Sequence, residues 1–385
     1  MFPQRPQAVC AQALLGLLVA ISLLTALPSV GRAMPLYAAR QGLPCATCHF
    51  DPQGGGGRNE FGFLYEKNRH DLAPDVGKWA DLVLSNKLGD ALYFGTSLRQ
   101  QYTYVHDLGT SYDSDVSTFF PMQGALYVTF APFSNLTIMY DRDLHDTRDA
   151  WGMIHGLPAG LYIKAGQFRV PFGLRMDDHT GALRAGFREA AVGSFGTSGF
   201  LPFDPRQVEG GLEVGFTPLT GFLATGAITN GGPAFGNQAQ ALTGKVSYFG
   251  SRFIAGISGY RNFATTSGRE DERGSIYAGL TVVPALQLLG EAGLGQSDDG
   301  AGGVSDQRAI WGEANYRLSR AWLVRGKYDF VDLDHRVAGL AQERYTIETD
   351  YTPVPFANLK FSFRRIVPED APDQNQFLAQ WLFYY

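Results

Sequence analysis

Apolar and polar side chains alternate, in segments of about ten residues, from residue 81 to the C-terminus. The clearest segments are 322–330, 344–351 and 359–365, where aromatic and aliphatic residues alternate with charged or hydroxyl residues. Successive side chains of a strand point to opposite faces, and a membrane barrel turns its apolar face to lipid and its polar face to a wet lumen. This pattern favours a transmembrane β-barrel over a soluble β-sandwich, which would not need aromatic residues at so many strand ends.

Short turns containing Pro, Gly or Ser alternate with longer polar connections through the same region. Outer-membrane barrels have short periplasmic turns and longer outer loops. On that rule sixteen strands are predicted, from 91–106 to 374–385, with both termini at the periplasmic end. The last strand closes the chain with Tyr385 and resembles the C-terminal insertion signal of bacterial outer-membrane barrels. The predicted fold is therefore all-β: a 16-stranded antiparallel transmembrane β-barrel at residues 81–385, in contact with outer-membrane lipid.

Composition agrees with this fold class. The 385 residues include 47 Gly, 27 Phe and 18 Tyr, and only 18% are charged. Glycine lies well above its usual share of about 7%. The formal net charge of −5, with no basic run or basic face, gives no indication of nucleic-acid binding.

Residues 1–33 read as an export signal. Arg5 precedes an apolar run from Ala11 to Leu27, and Gly31 and Ala33 occupy the −3 and −1 positions of a cleavage site. The alternative is an uncleaved membrane anchor, but the run is short for a spanning helix. We expect export from the cytoplasm and a mature chain that begins at residue 34.

The mature chain contains two cysteines, within the stretch Cys45-Ala46-Thr47-Cys48-His49. This C-x-x-C-H pattern is typical of covalent c-type haem attachment, in which two thiols bind the porphyrin and the following imidazole binds the iron. The alternatives are a redox-active pair, which favours a βαβ context, and a zinc site, which needs a second ligand pair. We predict one covalent haem c, with Cys45 and Cys48 as tethers and His49 as the proximal iron ligand.

The residues around this motif form a small segment, 34–80, before the barrel. Gly54 to Gly57 predict a tight loop, and Asn59 predicts the N-cap of a short helix. Phe61, Leu64 and Tyr65 share one face of that helix. We expect this stripe to cover the haem face; packing against the barrel wall is the alternative. A barrel of sixteen strands has an aqueous lumen that such a segment could plug in part.

His70 follows the predicted helix and is the only histidine between His49 and residue 79. We predict that it is the distal ligand of the haem iron. A surface histidine and an open sixth position remain as alternatives. Met34, the only methionine of the segment, lies at the expected new N-terminus.

The longest predicted connection, Val170 to Pro205, is too long for an ordinary hairpin loop and is expected to fold into the lumen. This connection and its flanks carry six cations: Lys164, Arg169, Arg175, Arg184, Arg188 and Arg206. These cations could select anions or form internal ion pairs, and we favour the ion pairs. Other outer loops are acidic, for example at 270–272 and 332–334. Such carboxylates could attract Fe(II) or could simply be solvated.

The chain resembles the fused monohaem cytochrome–porins of bacterial outer membranes, whose best-known members are iron oxidases. The resemblance rests on the order of the segments and on the residues at 39–42 and 61–62. Gly166 to Thr180 also resembles the porin partner of porin–cytochrome conduits and, more loosely, phosphate-selective porins. The resemblance implies an outer-membrane electron conduit that uses one haem, with Fe(II) oxidation as an open possibility. It also implies a periplasmic cytochrome or other electron carrier and an extracellular donor or acceptor as partners.

Two further hypotheses stay open. The barrel could be an anion channel of the phosphate type, or a porin scaffold for a separate multihaem cytochrome.

Overall fold

A computed structural model describes residues 35–76, 79, 81, 83–106, 115–144, 147–175, 208–231, 240–263, 270–298 and 303–385. The predicted export signal, Met34 and residues 176–205 of the longest connection lie outside the described residues. Arg184, Arg188 and Arg206 also lie outside the described residues.

Sixteen antiparallel strands form a closed barrel, as predicted. They are β2 Leu92–His106, β3 Val116–Phe133, β4 Leu136–Arg142, β5 Thr147–Leu157, β6 Leu161–Phe168, β7 Glu209–Phe216, β8 Phe222–Thr229, β9 Gln240–Phe249, β10 Phe253–Phe263, β11 Glu270–Val283, β12 Leu286–Asp298, β13 Val304–Arg317, β14 Trp322–Asp332, β15 Ala341–Val354, β16 Ala357–Pro368 and β17 Gln374–Tyr384. Each pairs with its neighbours in sequence, and β17 pairs with β2 to close the ring. A short strand, β1 Lys87–Leu88, pairs with the start of β2.

The wall alternates as the sequence pattern predicts. On β15, Arg344, Thr346 and Glu348 are buried inside, whereas Tyr345 and Ile347 are 49% and 68% exposed on the outside. The same alternation runs through β11. An apolar outer face around a closed ring with no free strand edge is the form in which β-structure crosses a bilayer. The chain is a bacterial outer-membrane barrel.

The N-terminal residues form two short helices and one turn of 3₁₀ helix. These are α1 Pro35–Gln41, the 3₁₀ turn Cys45–Thr47 and α2 Glu60–Lys67. As predicted, Asn59 caps α2, its side-chain oxygen accepting from the backbone N–H of Gly62 at 3.0 Å. No helix among the described residues is long and apolar enough to cross a membrane.

Residues 35–76, here called the plug, lie inside the barrel at the end where the short turns are. α1 packs against β10, β11 and β12, and the backbone oxygen of Ala39 accepts a hydrogen bond from the Thr281 hydroxyl. At Gly42 the plug passes so close to the β9–β10 turn that a Cβ atom would lie 2.9 Å from the Ser251 carbonyl oxygen. Phe63 packs against Phe356 in the β15–β16 turn, with ring centroids 5.1 Å apart. The plug therefore contacts the ring on several sides.

The start of the long connection after β6 also enters the lumen. Val170, Phe172 and Leu174 are buried. The backbone N–H groups of Gly173 and Leu174 donate to Ser258 on β10 and Glu291 on β12, at 2.9 and 3.0 Å. The described residues 170–175 therefore cross the lumen, as expected for the connection as a whole.

Candidate functional site

A cavity of about 400 Å³ lies in the lumen between the plug, the crossing residues 170–175 and the inner wall of β2, β3 and β14–β17. Its volume falls within the range of about 300–1,000 Å³ typical of cofactor sites. Cys45, Cys48, His49 and His70 all line it. The structure therefore brings the four predicted site residues together around one space.

The two cysteines are held by the 3₁₀ turn. The backbone N–H groups of Cys48 and His49 both donate to the carbonyl of Cys45, at 3.1 and 2.9 Å. Both thiols are free and buried. Burial raises the pKa of Cys45 to about 11 and that of Cys48 to about 12, so both are neutral thiols at pH 7. Attachment of one haem by two thioether bonds needs two free thiols on one short turn, and Cys45 and Cys48 meet that requirement.

Glycines let the chain close tightly around these cysteines. Gly54 has φ of +89°, a conformation that disfavours side chains, and a Cβ atom there would lie 3.3 Å from Cys45 Sγ. Gly62 brings α2 onto the motif, since a Cβ atom at this residue would lie 2.2 Å from the Cys48 carbonyl oxygen. The predicted glycine loop and the predicted helix thus both support the turn that carries the thiols.

His49 is buried next to the cysteines, and its Nδ1 atom has no hydrogen-bond partner. Burial, together with the charge of the nearby Arg58, lowers the pKa of His49 to about 4. A neutral imidazole is the form that binds metals. The buried, neutral imidazole of His49 thus fits the predicted role of proximal iron ligand.

His70 follows α2, three residues after its last residue Lys67, and has an unusual backbone conformation. Arg69 and His70 have φ of +53° and +59°, which is rare for residues other than glycine. The backbone N–H of His70 donates to the Tyr65 carbonyl at 2.9 Å. Arg69 binds Asp75 through two hydrogen bonds of 2.7 and 2.8 Å, and Asp75 also pairs with Arg320 in the β13–β14 turn at 3.3 Å. The strained pair is therefore anchored to the barrel wall.

Aromatic rings surround the His70 imidazole. It stacks on Tyr37 with centroids 4.6 Å apart and an interplanar angle of 10°, and it lies edge-on to Tyr65 at 5.9 Å. Burial, together with the charges of Arg58 and Arg40, lowers its pKa to about 3. His70 is thus a neutral, oriented imidazole at the cavity, which fits an axial ligand better than a surface histidine.

The apolar stripe predicted on α2 does not face the cavity as a unit. Tyr65 is buried and lines the cavity, but Phe61 and Leu64 are 42% and 41% exposed and do not line it. Gly62 lies against Cys48 and so turns its own face of the helix inward, together with Phe63 and Glu66. The expectation that all three residues cover the haem face is wrong for Phe61 and Leu64.

Glu66 and Arg58 are cavity residues that the sequence analysis missed. They form an ion pair of 2.5 Å, and Glu66 Oε1 lies 4.0 Å from His70 Nε2. Burial raises the pKa of Glu66 to about 7. The sequence offered a signal for this contact between Glu66 and His70, since the two residues are four positions apart.

Each of the three described cations around the long connection binds carboxylates. Lys164 lies between Asp51 of the plug and Glu213 of β7, at 3.0 and 2.9 Å. Arg169 pairs with Asp149, and Arg175 with Glu313. This agrees with the internal ion pairs that the sequence analysis favoured over an anion filter.

The acidic outer loops are partly neutralised by arginine. Arg336 pairs with Asp334 at 2.9 Å and with Asp306 at 3.3 Å, and Arg308 pairs with Asp332 at 2.9 Å. Among the residues that the structure describes, no group of three or more His, Cys, Asp or Glu side chains is placed to hold a metal ion.

No protein-family model matches the chain, and no curated protein matches its sequence. Solved structures of outer-membrane porins are similar to it. The anion-selective porin from Comamonas acidovorans has a TM-score of 0.59 at 10% identity, over 77% of this chain and 99% of the porin. OmpT of Vibrio cholerae gives 0.57 at 11% identity, over 78% and 100%. The channel DcaP of Acinetobacter baumannii gives 0.51 at 10% identity, over 76% and 97%.

Identities this low establish the fold and nothing finer. The chain has the barrel of the outer-membrane porins. This likeness concerns the barrel and does not bear on the C-x-x-C-H motif.

Proposed function

We propose that this protein is an outer-membrane electron conduit in which one covalent haem c, held in the lumen, passes electrons between the two sides of the membrane. The observation that carries the proposal is that the two thiols of the C-x-x-C-H motif, His49 and His70 all line one lumenal cavity. A bound haem iron supplies reversible one-electron chemistry. A wet, protein-lined lumen gives that chemistry a place within the membrane.

The residues of the chain have distinct roles in this proposal. Cys45 and Cys48 tether the cofactor, and His49 and His70 supply neutral imidazoles to the iron. The Tyr37 ring, stacked on His70, fixes the orientation of its imidazole. An external one-electron donor, of which Fe(II) is one example, releases an electron to this site, and a periplasmic one-electron carrier takes it up. The reverse direction uses the same residues.

The extent of the cavity supports a site that serves both sides. At one end it is lined by the plug, which lies among the short periplasmic turns. At the other end it is lined by Leu174 and Arg175, which enter the lumen from the outer end of β6. A single haem can serve two sides only from within the lumen, and a lumenal cavity bounded by the plug and by residues 174–175 supports such a position.

A passive anion channel is the second candidate, and a porin scaffold for a multihaem cytochrome is a variant of it. The porin fold supports these hypotheses more directly than it supports the conduit. A specific observation favours the channel: Arg and Lys side chains line the part of the cavity between β14 and β16. The plug, which is joined to the wall by buried ion pairs, argues for a lumen that is blocked rather than open.

Electron transfer across a closed bilayer tests the proposal. The full-length protein is placed in liposomes that trap an oxidised dye, and a membrane-impermeant reductant is added outside. We expect the dye to be reduced by the native protein and not by a Cys45→Ala/Cys48→Ala variant. No reduction by haem-loaded native protein would refute the conduit, and selective anion conductance in planar bilayers would then support the channel.

The proposed role of His70 has its own test. Replacing His70 with Met exchanges one axial nitrogen for sulfur, which changes the absorption spectrum and generally raises the potential of a c-type haem. Tyr316, a lipid-facing residue, provides a control substitution to Phe. An unchanged haem spectrum in the His70→Met protein would rule out axial ligation by His70.

A further inference from the structure

One side of the lumenal cavity is strongly cationic. Arg99 of β2, Arg325 and Lys327 of β14, Arg344 of β15, and Lys360 and Arg364 of β16 all line it. β14, β15 and β16 are neighbours in the closed ring, and β2 follows after β17, so the six side chains lie along one side of the lumen, here called the cationic wall.

Carboxylates neutralise part of this wall. Lys360 lies 3.1 Å from Glu348 and 3.7 Å from Asp350, and Arg325 pairs with the same two acids. Lys327 and Arg344 share Asp329, at 3.1 and 3.0 Å. Arg325 also lies 3.8 Å from Glu313, so at least four carboxylates take part in ion pairs of the wall. Among the described residues that line the cavity, eight are arginine or lysine and three are carboxylates, so positive charge is in excess there.

The thiols lie on the plug side of the cavity. The strands that line the cavity are β2, β3 and β14–β17, and Cys45 and Cys48 line it from the plug. The cavity thus has the thiols of the plug on one side and the cationic wall on the other.

The two edges of a haem differ in the same way as the two sides of the cavity. Its vinyl groups, which react with the cysteines, lie on one edge, and its two propionate carboxylates lie on the opposite edge. Tethering the vinyl edge at Cys45 and Cys48 therefore decides which wall the carboxylates approach. A carboxylate brought into a lumen needs charged or hydrogen-bonding partners, and guanidinium groups bind carboxylates in a bidentate manner.

We propose that the cationic wall is the binding site for the two haem propionates, with Arg364 and Arg99 as the central residues. This inference rests on the proposed function, since it takes the haem as given. Arg364 and Arg99 stand on β16 and β2, on either side of β17, whose Gln380 also lines the cavity. The wall orients the cofactor and raises its potential, because nearby positive charge favours the ferrous state.

The experiment is a redox titration of the full-length, haem-loaded protein carrying Arg364→Gln. Arg365→Gln is the matched control, because Arg365 is the next residue of the same strand, is exposed and pairs with Asp373. We expect the ratio of ferrous to ferric haem at a fixed potential to fall about tenfold with Arg364→Gln, about 59 mV for a one-electron couple. Arg364→Lys, which keeps the charge, should recover most of this shift.

The outcomes separate this inference from the proposed function. Equal potentials for Arg364→Gln and Arg365→Gln would overturn the inference while leaving a haem protein in place. If Arg364→Gln does not fold, as judged by the heat-dependent mobility of the barrel in gels, Arg99→Gln replaces it with the same expectation. A changed phosphate conductance with an unchanged haem potential would assign the wall to a soluble anion and overturn the inference. A native protein without covalent haem would instead refute the proposed function.

Discussion

Lys164 joins the plug to the barrel wall through a buried ion pair, and replacing it with Met tests that anchorage. Its ammonium group is completely buried and bridges Asp51 of the plug and Glu213 of β7, at 3.0 and 2.9 Å. Tyr162 donates a further hydrogen bond of 2.7 Å to Glu213. Two residues after Asp51, Gln53 donates to Thr225 on β8 at 2.5 Å.

Lys164→Met leaves two carboxylates buried without their shared cation. Removing one partner of a buried ion pair costs about 3–5 kcal/mol, which corresponds to roughly two to four powers of ten in the equilibrium between docked and released plug. Asp51→Asn should cost less, about 1.5–3 kcal/mol, because Lys164 keeps Glu213 as a partner. The structure therefore predicts an order of effects, with Lys164→Met more severe than Asp51→Asn.

Single-channel recording in planar bilayers measures plug release as the fraction of time that a large pore is open. Far-ultraviolet circular dichroism should show the same β content in both variants, since the ring itself is unchanged. Lys87→Met is a suitable control, because Lys87 lies on the short strand outside the ring and contacts Tyr93. An open fraction for Lys164→Met equal to that of the control, or one smaller than that for Asp51→Asn, would refute the anchorage.

Three further results are expected. Gly62→Ala should lower the haem content several-fold, because its Cβ atom would lie 2.2 Å from the Cys48 carbonyl oxygen and the strain of about 1–3 kcal/mol exceeds the gain in helix propensity. The haem absorbance per folded barrel measures this effect. Gly326→Ala is the control and should change nothing, because the space around Gly326 is open. Asp75→Asn should raise the high-spin fraction of the haem spectrum, since Arg69, next to the proposed distal ligand His70, loses a charged partner; an unchanged spectrum would contradict the role of this anchor. Deleting residues 34–80 should leave a barrel that conducts ions steadily, and a deletion protein as silent as the native chain would mean that other residues block the lumen.

The barrel was largely predictable, because its physics is local and repeated. Each strand shows the alternation directly, as in the inward Arg344 and outward Tyr345 on β15. Short turns such as Phe249–Arg252 mark where one strand ends and the next begins. Sixteen weak signals of the same kind add up to a firm prediction of strand number and fold.

Contacts between distant parts of the chain were not predictable in the same way. Nothing near Asp51 in the sequence indicates that it meets Lys164, 113 residues later. The orientation of α2 also depends on tertiary contacts: Gly62 must approach Cys48, and this turns Phe61 and Leu64 away from the cavity. Helical periodicity identified a stripe but could not tell which neighbour would cover it.

The candidate site falls between these cases. Cys45, Cys48 and His49 were predicted from one short motif, and His70 from its position after a helix. The cationic wall could have been found as inward-facing arginines and lysines on predicted strands. Its place across the cavity from the plug depends on closure of the ring.

The central claim is that Cys45 and Cys48 bind one haem within this barrel, and the intact mass of the mature protein tests it most directly. The protein is purified from the outer membrane of a host that performs c-type haem attachment and is measured under denaturing conditions, so that only covalent groups remain. We predict a mass increased by one haem per chain, and no increase in the Cys45→Ala/Cys48→Ala variant. A native chain at its unmodified mass, with both thiols open to alkylation after unfolding, would contradict the account.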